Sequence, residues 1–142
     1  MPHRILIVED DPMNAKLFQL VLTRKGNYTI RITEDPDVVL AETRAGTADL
    51  VIMDVSLSNS VMDGVRVDGL EITRRIKADP ATRHIPVLLA TAHAMKGSRE
   101  KFLKDSGADG YISKPIVSAD ELIGLIESLI SKRSHAVPPA DR

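Results

Sequence analysis

The sequence predicts an α/β fold in which helices cover both faces of a five-stranded parallel sheet. Apolar runs of strand length alternate five times with amphipathic stretches of helical length along the 142 residues, and this alternation is typical of parallel sheets with right-handed crossovers. Some of the runs, such as LVIM at 50–53, are apolar at consecutive positions. Consecutive apolar positions indicate strands that are buried on both faces.

The first strand is predicted at Arg4–Val8, where the sequence reads RILIV. Asp11-Pro12 then has the residues of a helix N-cap followed by proline at the first helical position. Lys25-Gly26 provides a basic last turn and a glycine at which the helix ends. The apolar face of this helix is expected to contain Leu17, Phe18, Val21 and Leu22.

The second unit begins with an alternating, β-branched strand at Tyr28–Thr33, which is typical of a sheet edge. Asp35-Pro36 repeats the start signal of the first helix, and the second helix is expected to end near Arg44. Leu50–Met53 is the third strand. Residues 55–68 are predicted to be a loop.

The last part of the chain contains two strands and three helices. The third helix is predicted at Gly69–Ala78 and the fourth strand at Ile85–Ala90, with its proline near the start, where a missing donor is tolerated. The fourth helix covers Gly97–Asp105, and a short fifth strand covers Gly110–Ile112. The run SADE at 118–121 is a capping box that opens the fifth helix.

The composition excludes several classes of protein. A net charge of −1 and only four aromatic residues provide neither a basic field nor a stacking surface for nucleic acid. No cysteine is present, so disulfides, zinc–thiolate sites and thiol nucleophiles are excluded. No apolar run approaches the roughly 18 residues of a membrane span, and the acidic N-terminal segment is unlike a signal peptide. The expected location is the cytoplasm.

Polar side chains follow four of the five predicted strands. In a parallel sheet, the carboxyl ends of these strands lie at one edge, and ligands bind beyond that edge near the switch in strand order. We therefore expect the polar side chains to meet in a single cleft. They are Glu9, Asp10 and Asp11 after the first strand, Asp54 after the third, Thr91 after the fourth and Lys114 after the fifth.

This group of residues predicts chemistry that none of them would indicate alone, because each by itself is an ordinary turn, cap or surface residue. Clustered carboxylates repel one another unless some are protonated or a cation joins them. Oxygen ligands without His or Cys favour Mg²⁺, with Mn²⁺ as the alternative. Asp54, beside a metal and Lys114, would be an ionised nucleophile able to form an aspartyl-phosphate. The metal, Lys114 and Thr91 would stabilise the phosphoryl group.

Four motifs resemble the receiver domain of two-component response regulators. They are ILIVEDDPMN, LVIMD, LLATAHAMKG and GADGYISKPI, and the resemblance extends from about Ile5 to Ile130. Within that family, the EDDPMN and AHAMKG segments are most similar to stand-alone receivers of the cell-cycle type. The resemblance implies a flavodoxin-like, three-layer α/β/α fold with five helices and strand order 2-1-3-4-5.

The resemblance also implies a role for each residue of the cleft. Asp54 would be the phosphoacceptor. Glu9 and Asp10 would be the acidic pair that binds Mg²⁺, together with Asp54 and the backbone carbonyl of Ser56. Lys114 would pair with the phosphate.

A conformational switch is implied as well. Thr91 would move to the phosphoryl group, and Tyr111 would rotate inward to fill the space that it leaves. This would repack the face formed by the fourth helix, fifth strand and fifth helix, where partners bind. His93 could be a general base, but we favour a rim residue that modulates water access and, in this family, phosphate lifetime. Pro115 would follow Lys114 in a cis peptide bond.

One segment departs from the family pattern. Ser58 replaces the usual proline after Asp54, and the glycine that aligns with the start of the third helix is Gly69. An insertion of about seven residues, near 57–66, is therefore predicted beside the site. It could cover the phosphate, contact a kinase or form an extra turn, and the Asp63-Gly64 and Asp68-Gly69 dipeptides favour turns at both ends of it.

Other functions fit the sequence less well. A haloacid-dehalogenase-type phosphatase needs a second aspartate two residues after the nucleophile, and this chain has Ser56 there. A flavodoxin-type FMN binder needs a Gly/Ser/Thr loop after the first strand, where this chain has three acids. The remaining alternative is a receiver-like scaffold that works without phosphorylation.

The expected protein is a stand-alone response regulator with a receiver domain at 1–133 and a disordered tail at 134–142. It would accept a phosphoryl group from a histidine kinase or a histidine phosphotransfer protein, and catalyse only its own phosphorylation and dephosphorylation. Its output would be contact with a downstream protein effector, without direct binding of nucleic acid or membrane. A dimer through the face of the fourth helix, fifth strand and fifth helix is an open alternative.

Overall fold

The computed structural model describes residues 3–57, 60–92, 98–116 and 118–136. Five parallel strands form one sheet in the order β2-β1-β3-β6-β7, so the predicted order 2-1-3-4-5 is confirmed. A separate two-stranded hairpin is formed by the part of the chain that connects the third and fourth strands of this sheet. The strands are β1 His3–Val8, β2 Tyr28–Thr33, β3 Leu50–Asp54, β4 Val61–Met62, β5 Val65–Arg66, β6 Val87–Thr91 and β7 Gly110–Ser113.

Helices cover both faces of the sheet, and the three predicted caps, Asp11, Asp35 and Ser118, each lie at the start of a helix. The Asp11 carboxylate accepts a hydrogen bond from the Met13 N–H at 3.0 Å, and the Ser118 hydroxyl accepts one from the Glu121 N–H at 3.1 Å. These bonds satisfy donors that a helix N-terminus otherwise leaves free. The helices are α1 Pro12–Lys25, α2 Pro36–Ala45, α3 Gly69–Ala78, α4 Ser98–Ser106 and α5 Ala119–Ala136.

The core consists of two aliphatic layers, one on each face of the sheet. Successive residues of β3 alternate between them: Val51 and Met53 pack in the layer that contains Ile72 of α3. Ile52 packs in the other layer, which contains Phe18 of α1. Because both faces are covered, consecutive positions of this strand are apolar, as the sequence predicts. None of the helices in the described part of the chain is long and apolar enough to cross a membrane.

The fourth strand of the sheet, β6, begins at Val87, two residues later than predicted. The Ile85 N–H is used in a turn, where it donates to the Thr82 carbonyl at 3.0 Å. Pro86 has no N–H to give to a ladder. At the other end of the chain, α5 is described as far as Ala136. Residues 137–142 lie outside the described part, so the predicted tail and domain boundary stay predictions.

The segment predicted as a loop contains a β-hairpin. Val61 pairs with Arg66 and Met62 with Val65 in antiparallel register. Asp63 and Gly64 have φ angles of 53° and 80°, and positive φ at both central residues is the signature of a type I′ turn. Met62 is buried against the core, so the hairpin is packed onto the domain.

Gly64→Val should lower the free energy of unfolding by about 1–2 kcal/mol, because a β-branched residue is strained at positive φ. Apart from Gly64 itself and its two chain neighbours, no heavy atom lies within 4 Å of a Cβ built there, so backbone strain rather than a steric clash accounts for the loss. Gly64→Asn is the control, since asparagine tolerates this conformation and should cost less. Urea denaturation compares the two variants; equal losses would contradict the turn assignment.

Candidate functional site

The register of the sheet brings the predicted site residues to one edge. Glu9 directly follows β1 and Asp54 ends the adjacent strand β3, so both lie at the same level, and Lys114 follows the last strand at the same edge. The Lys114 N–H donates to the Thr91 carbonyl at 2.8 Å, which extends the ladder by one bond. The pairs that set this arrangement are Val8 with Met53, Asp54 with Ala90, and Thr91 with Ser113.

Lys114 joins the two buried carboxylates. Its Nζ lies 3.0 Å from Asp54 Oδ1 and 3.1 Å from Glu9 Oε1. The Glu9 and Asp54 side chains are only 1% and 3% exposed, so this ammonium compensates charges that water barely reaches. Two backbone donors assist: the Ser56 N–H reaches Asp54 Oδ1 and the Asp11 N–H reaches Glu9 Oε2, both at 3.1 Å. The sequence predicted the pairing of Lys114 with Asp54 but not its bond to Glu9.

The electrostatics of the site favour an added positive charge. Burial, together with the hydrogen bond and charge of Asp54, raises the pKa of Glu9 to about 7, although the Asp11 N–H and Lys114 oppose this shift. Burial lowers the pKa of Lys114, but the bonds and charges of Asp54 and Glu9 outweigh it and the net pKa is raised. Lys114 therefore stays protonated at neutral pH. A single ammonium leaves the acidic cluster short of positive charge.

Three carboxylates are placed to share a metal ion. Glu9, Asp10 and Asp54 each offer an oxygen, and these oxygens all lie within 4.8 Å of one another. Hard oxygen ligands suit Mg²⁺, which needs few protein ligands because it keeps several waters. The residues present therefore fit a magnesium site. Ser56 follows Asp54 by two residues, and its N–H donates to the Asp54 carboxylate.

The two predicted switch residues are buried on the neighbouring strands. Thr91, at the end of β6, is 0% exposed, and Tyr111, on β7, is 8% exposed. Tyr111 packs in the layer that also contacts Phe102 of α4. The Lys114–Pro115 peptide is cis, as the resemblance implies. His93 lies outside the described residues.

Two residues near the site were not predicted from the sequence. The guanidinium carbon of Arg99 lies 5.0 Å from the centroid of the Tyr111 ring, and no local pattern links residues on separate elements. Gly69, noted in the sequence only for its alignment and turn tendency, begins α3 against Asp54. A Cβ built on Gly69 would lie 2.0 Å from the Asp54 carbonyl oxygen.

A parallel sheet with an acidic cluster and a buried lysine at one edge defines an α/β module of the receiver type. Residues 5–127 match the response regulator receiver domain family, and the chain belongs to that family. The polar-differentiation response regulator DivK of Brucella anthropi is 40% identical over 130 residues, which cover 92% of this chain and 98% of that protein. DivK of Brucella ovis is 39% identical over the same length, with the same shares.

Solved structures agree with this assignment. A putative response regulator from Chloroflexus aurantiacus superposes with a TM-score of 0.78 at 27% identity, covering 92% of this chain and 99% of that one. The receiver domain of a sensor histidine kinase from Pseudomonas aeruginosa has a TM-score of 0.76 at 27% identity, with the same coverage. That domain was solved with a magnesium ion coordinated in its active site cleft.

Proposed function

We propose that this protein is a phosphorylation-dependent signalling switch whose phosphoacceptor is Asp54. The observation that carries the proposal is the buried contact of Lys114 with both Asp54 and Glu9 at about 3 Å. Asp54 is 3% exposed, and a negative charge there is costly unless it is paired. Lys114 and the Ser56 N–H both bond to its carboxylate, so the site compensates this charge. A nucleophile that accepts a phosphoryl group uses it.

The phosphoryl group would come from a phosphohistidine of a histidine kinase or a phosphotransfer protein. Oδ1 of Asp54 accepts bonds from Lys114 and the Ser56 N–H, and we assign the attack on phosphorus to the other oxygen. As the new O–P bond forms, the N–P bond breaks and its electron pair returns to the imidazole, which takes up a proton. The product is an aspartyl-phosphate and a neutral histidine.

The residues of the chain bind and stabilise the transferred group. Lys114 already contacts Asp54 and would pair with a phosphoryl oxygen. Glu9, Asp10, Asp54 and the backbone carbonyl of Ser56 would hold Mg²⁺, which supplies positive charge next to the phosphoryl oxygens when bound. The magnesium ion in the similar Pseudomonas aeruginosa receiver domain supports this assignment.

Phosphorylation would be read through Thr91 and Tyr111. The Thr91 hydroxyl would move to bind the phosphoryl group, and the Tyr111 ring would fill the space that it leaves. Because Arg99 of α4 lies over the Tyr111 ring, the position of the ring affects the face formed by α4, β7 and α5, where an effector protein would bind. A local change in charge would thus shift the balance between two conformations of the face that binds the effector. In this proposal His93 tunes the lifetime of the phosphate.

Intact-mass spectrometry after incubation with acetyl phosphate and Mg²⁺ tests the proposal. We expect the mass of the wild-type protein to increase by one phosphoryl group. The Asp54→Asn variant should show no increase, and EDTA should suppress the increase in the wild type. Asp120→Asn is the matched control, because it makes the same change at an exposed position of α5 and should leave labelling intact.

The scaffold alternative predicts a different outcome. Without an adduct from either acetyl phosphate or a cognate kinase, the acidic cluster and Lys114 would not serve phosphorylation, and the protein would act only by binding partners. An adduct that persists in Asp54→Asn would instead place the phosphoacceptor at another residue. Either outcome would overturn the proposal.

A further inference from the structure

We propose that Arg99 is a positioning residue that holds the Tyr111 ring in its inward orientation. The inference deepens the proposed function, on which its signalling role rests, because Tyr111 is the side chain through which that function reaches the output face. Arg99 is assigned no contact with the acidic cluster or with the phosphoryl group. It would act only through Tyr111.

The contact is a cation–π interaction between two elements of the fold. Arg99 lies in the first turn of α4, and its guanidinium carbon is 5.0 Å from the centroid of the Tyr111 ring on β7. This distance is within the roughly 6 Å over which a cation is attracted to the face of an aromatic ring. The contact therefore joins the start of α4 to the fifth strand of the sheet.

The burial of the two side chains differs. Tyr111 is only 8% exposed, whereas Arg99 is exposed. An exposed guanidinium over a buried ring covers the ring from the solvent side. If the ring rotates outward, it loses both this contact and its packing in the layer beside Phe102. Arg99 thus adds to the preference for the inward orientation.

The contact of Arg99 with Tyr111 is weak enough that the ring can still change between its two orientations. A cation–π contact at an exposed site shifts an equilibrium by about two- to five-fold. A contact of that size biases two orientations without locking either. Because Tyr111 inward is the orientation coupled to phosphorylation in the proposed function, Arg99 would favour the phosphorylated arrangement of the output face by the same factor.

The composition of the chain allows a direct measurement. The protein contains two tyrosines and no tryptophan, so Tyr28→Phe leaves Tyr111 as the sole source of tyrosine fluorescence. In this background, acrylamide quenching measures how accessible Tyr111 is to solvent. Arg99→Met keeps a long side chain but removes the charge. We expect it to raise the quenching constant by up to about five-fold, because quenching rises with the population of the outward ring.

Two further variants separate positioning from a general effect of charge. Arg99→Lys restores a cation and should return the quenching constant part of the way toward that of the parent. Lys101→Met removes a positive charge from the same helix, at a residue two positions away, and should leave the constant unchanged. Urea denaturation checks that Arg99→Met stays folded, because a merely structural role would alter stability without selectively exposing Tyr111.

The results separate the failure of this inference from the failure of the proposed function. Unchanged quenching in Arg99→Met, or an equal rise in Lys101→Met, would overturn the role of Arg99 even if Asp54 accepts phosphate normally. Acetyl phosphate labelling of the Tyr28→Phe parent is read separately by intact mass. Its absence in that parent and in the wild type would overturn the proposed function, while the quenching series would still decide whether Arg99 positions Tyr111.

Discussion

Without divalent cations, we expect the free energy of unfolding to fall by on the order of 3 kcal/mol as the pH rises from about 4.5 to about 7. Burial, reinforced by Asp54, raises the pKa of Glu9 from 4.5 to about 7 in the folded protein. Below pH 4.5, Glu9 is protonated in both the folded and the unfolded state, and its contribution to the free energy of unfolding is fully present. Between pH 4.5, the pKa of Glu9 in the unfolded state, and about 7, its pKa in the folded state, only the folded state keeps this proton. The contribution is therefore lost as the pH rises, until the pH passes about 7.

Urea denaturation in EDTA, repeated between about pH 4.5 and 8, measures this loss. Glu9→Gln is the control, because glutamine cannot titrate and its curve isolates the contribution of Glu9 from those of other carboxyl groups. Lys114 does not contribute to the change of the unfolding free energy with pH, since its raised pKa keeps it protonated over this range. Parallel curves for the wild type and Glu9→Gln would contradict the raised pKa.

Magnesium should reverse the loss above pH 7. An ion bound only by the folded state stabilises it in proportion to the logarithm of its concentration over its dissociation constant. We expect Mg²⁺ to stabilise the wild type more than Glu9→Gln, because the variant lacks one of the three clustered carboxylates. Equal stabilisation would place the ion elsewhere.

The fold was predictable because its signals are local. Asp11-Pro12 and Ser118 predicted helix starts that the structure confirms by hydrogen bonds to Met13 and Glu121. Because the carboxyl ends of parallel strands lie at one edge of a sheet, the sequence also predicted that Glu9 and Asp54 lie close together. No property of either residue alone indicates that neighbour.

The hairpin was missed for an equally physical reason. Each of its strands is two residues long, too short for an alternating pattern, and only Asp63-Gly64 marked its turn. The bond of Lys114 to Glu9 and the contact of Arg99 with Tyr111 depend on side-chain packing between elements distant in the chain. Local patterns carry no signal for such contacts.

The close approach of Gly69 to Asp54 predicts the second large effect: Gly69→Ala should lower the free energy of unfolding by about 3 kcal/mol. The added Cβ would lie 2.0 Å from the Asp54 carbonyl oxygen and 2.9 Å from Met53 Cγ. A backbone oxygen cannot move aside as a flexible side chain can, so α3 or the end of β3 must shift. Such a shift also strains the bond of the Gly69 N–H to the Val55 carbonyl, which is 3.2 Å long.

The same substitution should slow labelling by acetyl phosphate about 10- to 100-fold, because displacements of about 1 Å at a reacting group have effects of this size. Gly124→Ala is the matched control, because Gly124 lies within α5 and its added Cβ would have no heavy atom within 4 Å apart from its chain neighbours and the nearby backbone of its own helix. Alanine in a helix should there add about 0.5–1 kcal/mol of stability and leave labelling unchanged. If Gly69→Ala lowers the free energy of unfolding and Gly124→Ala raises it, the start of α3 packs directly against the phosphoacceptor strand. Equal effects at both positions would show that it does not.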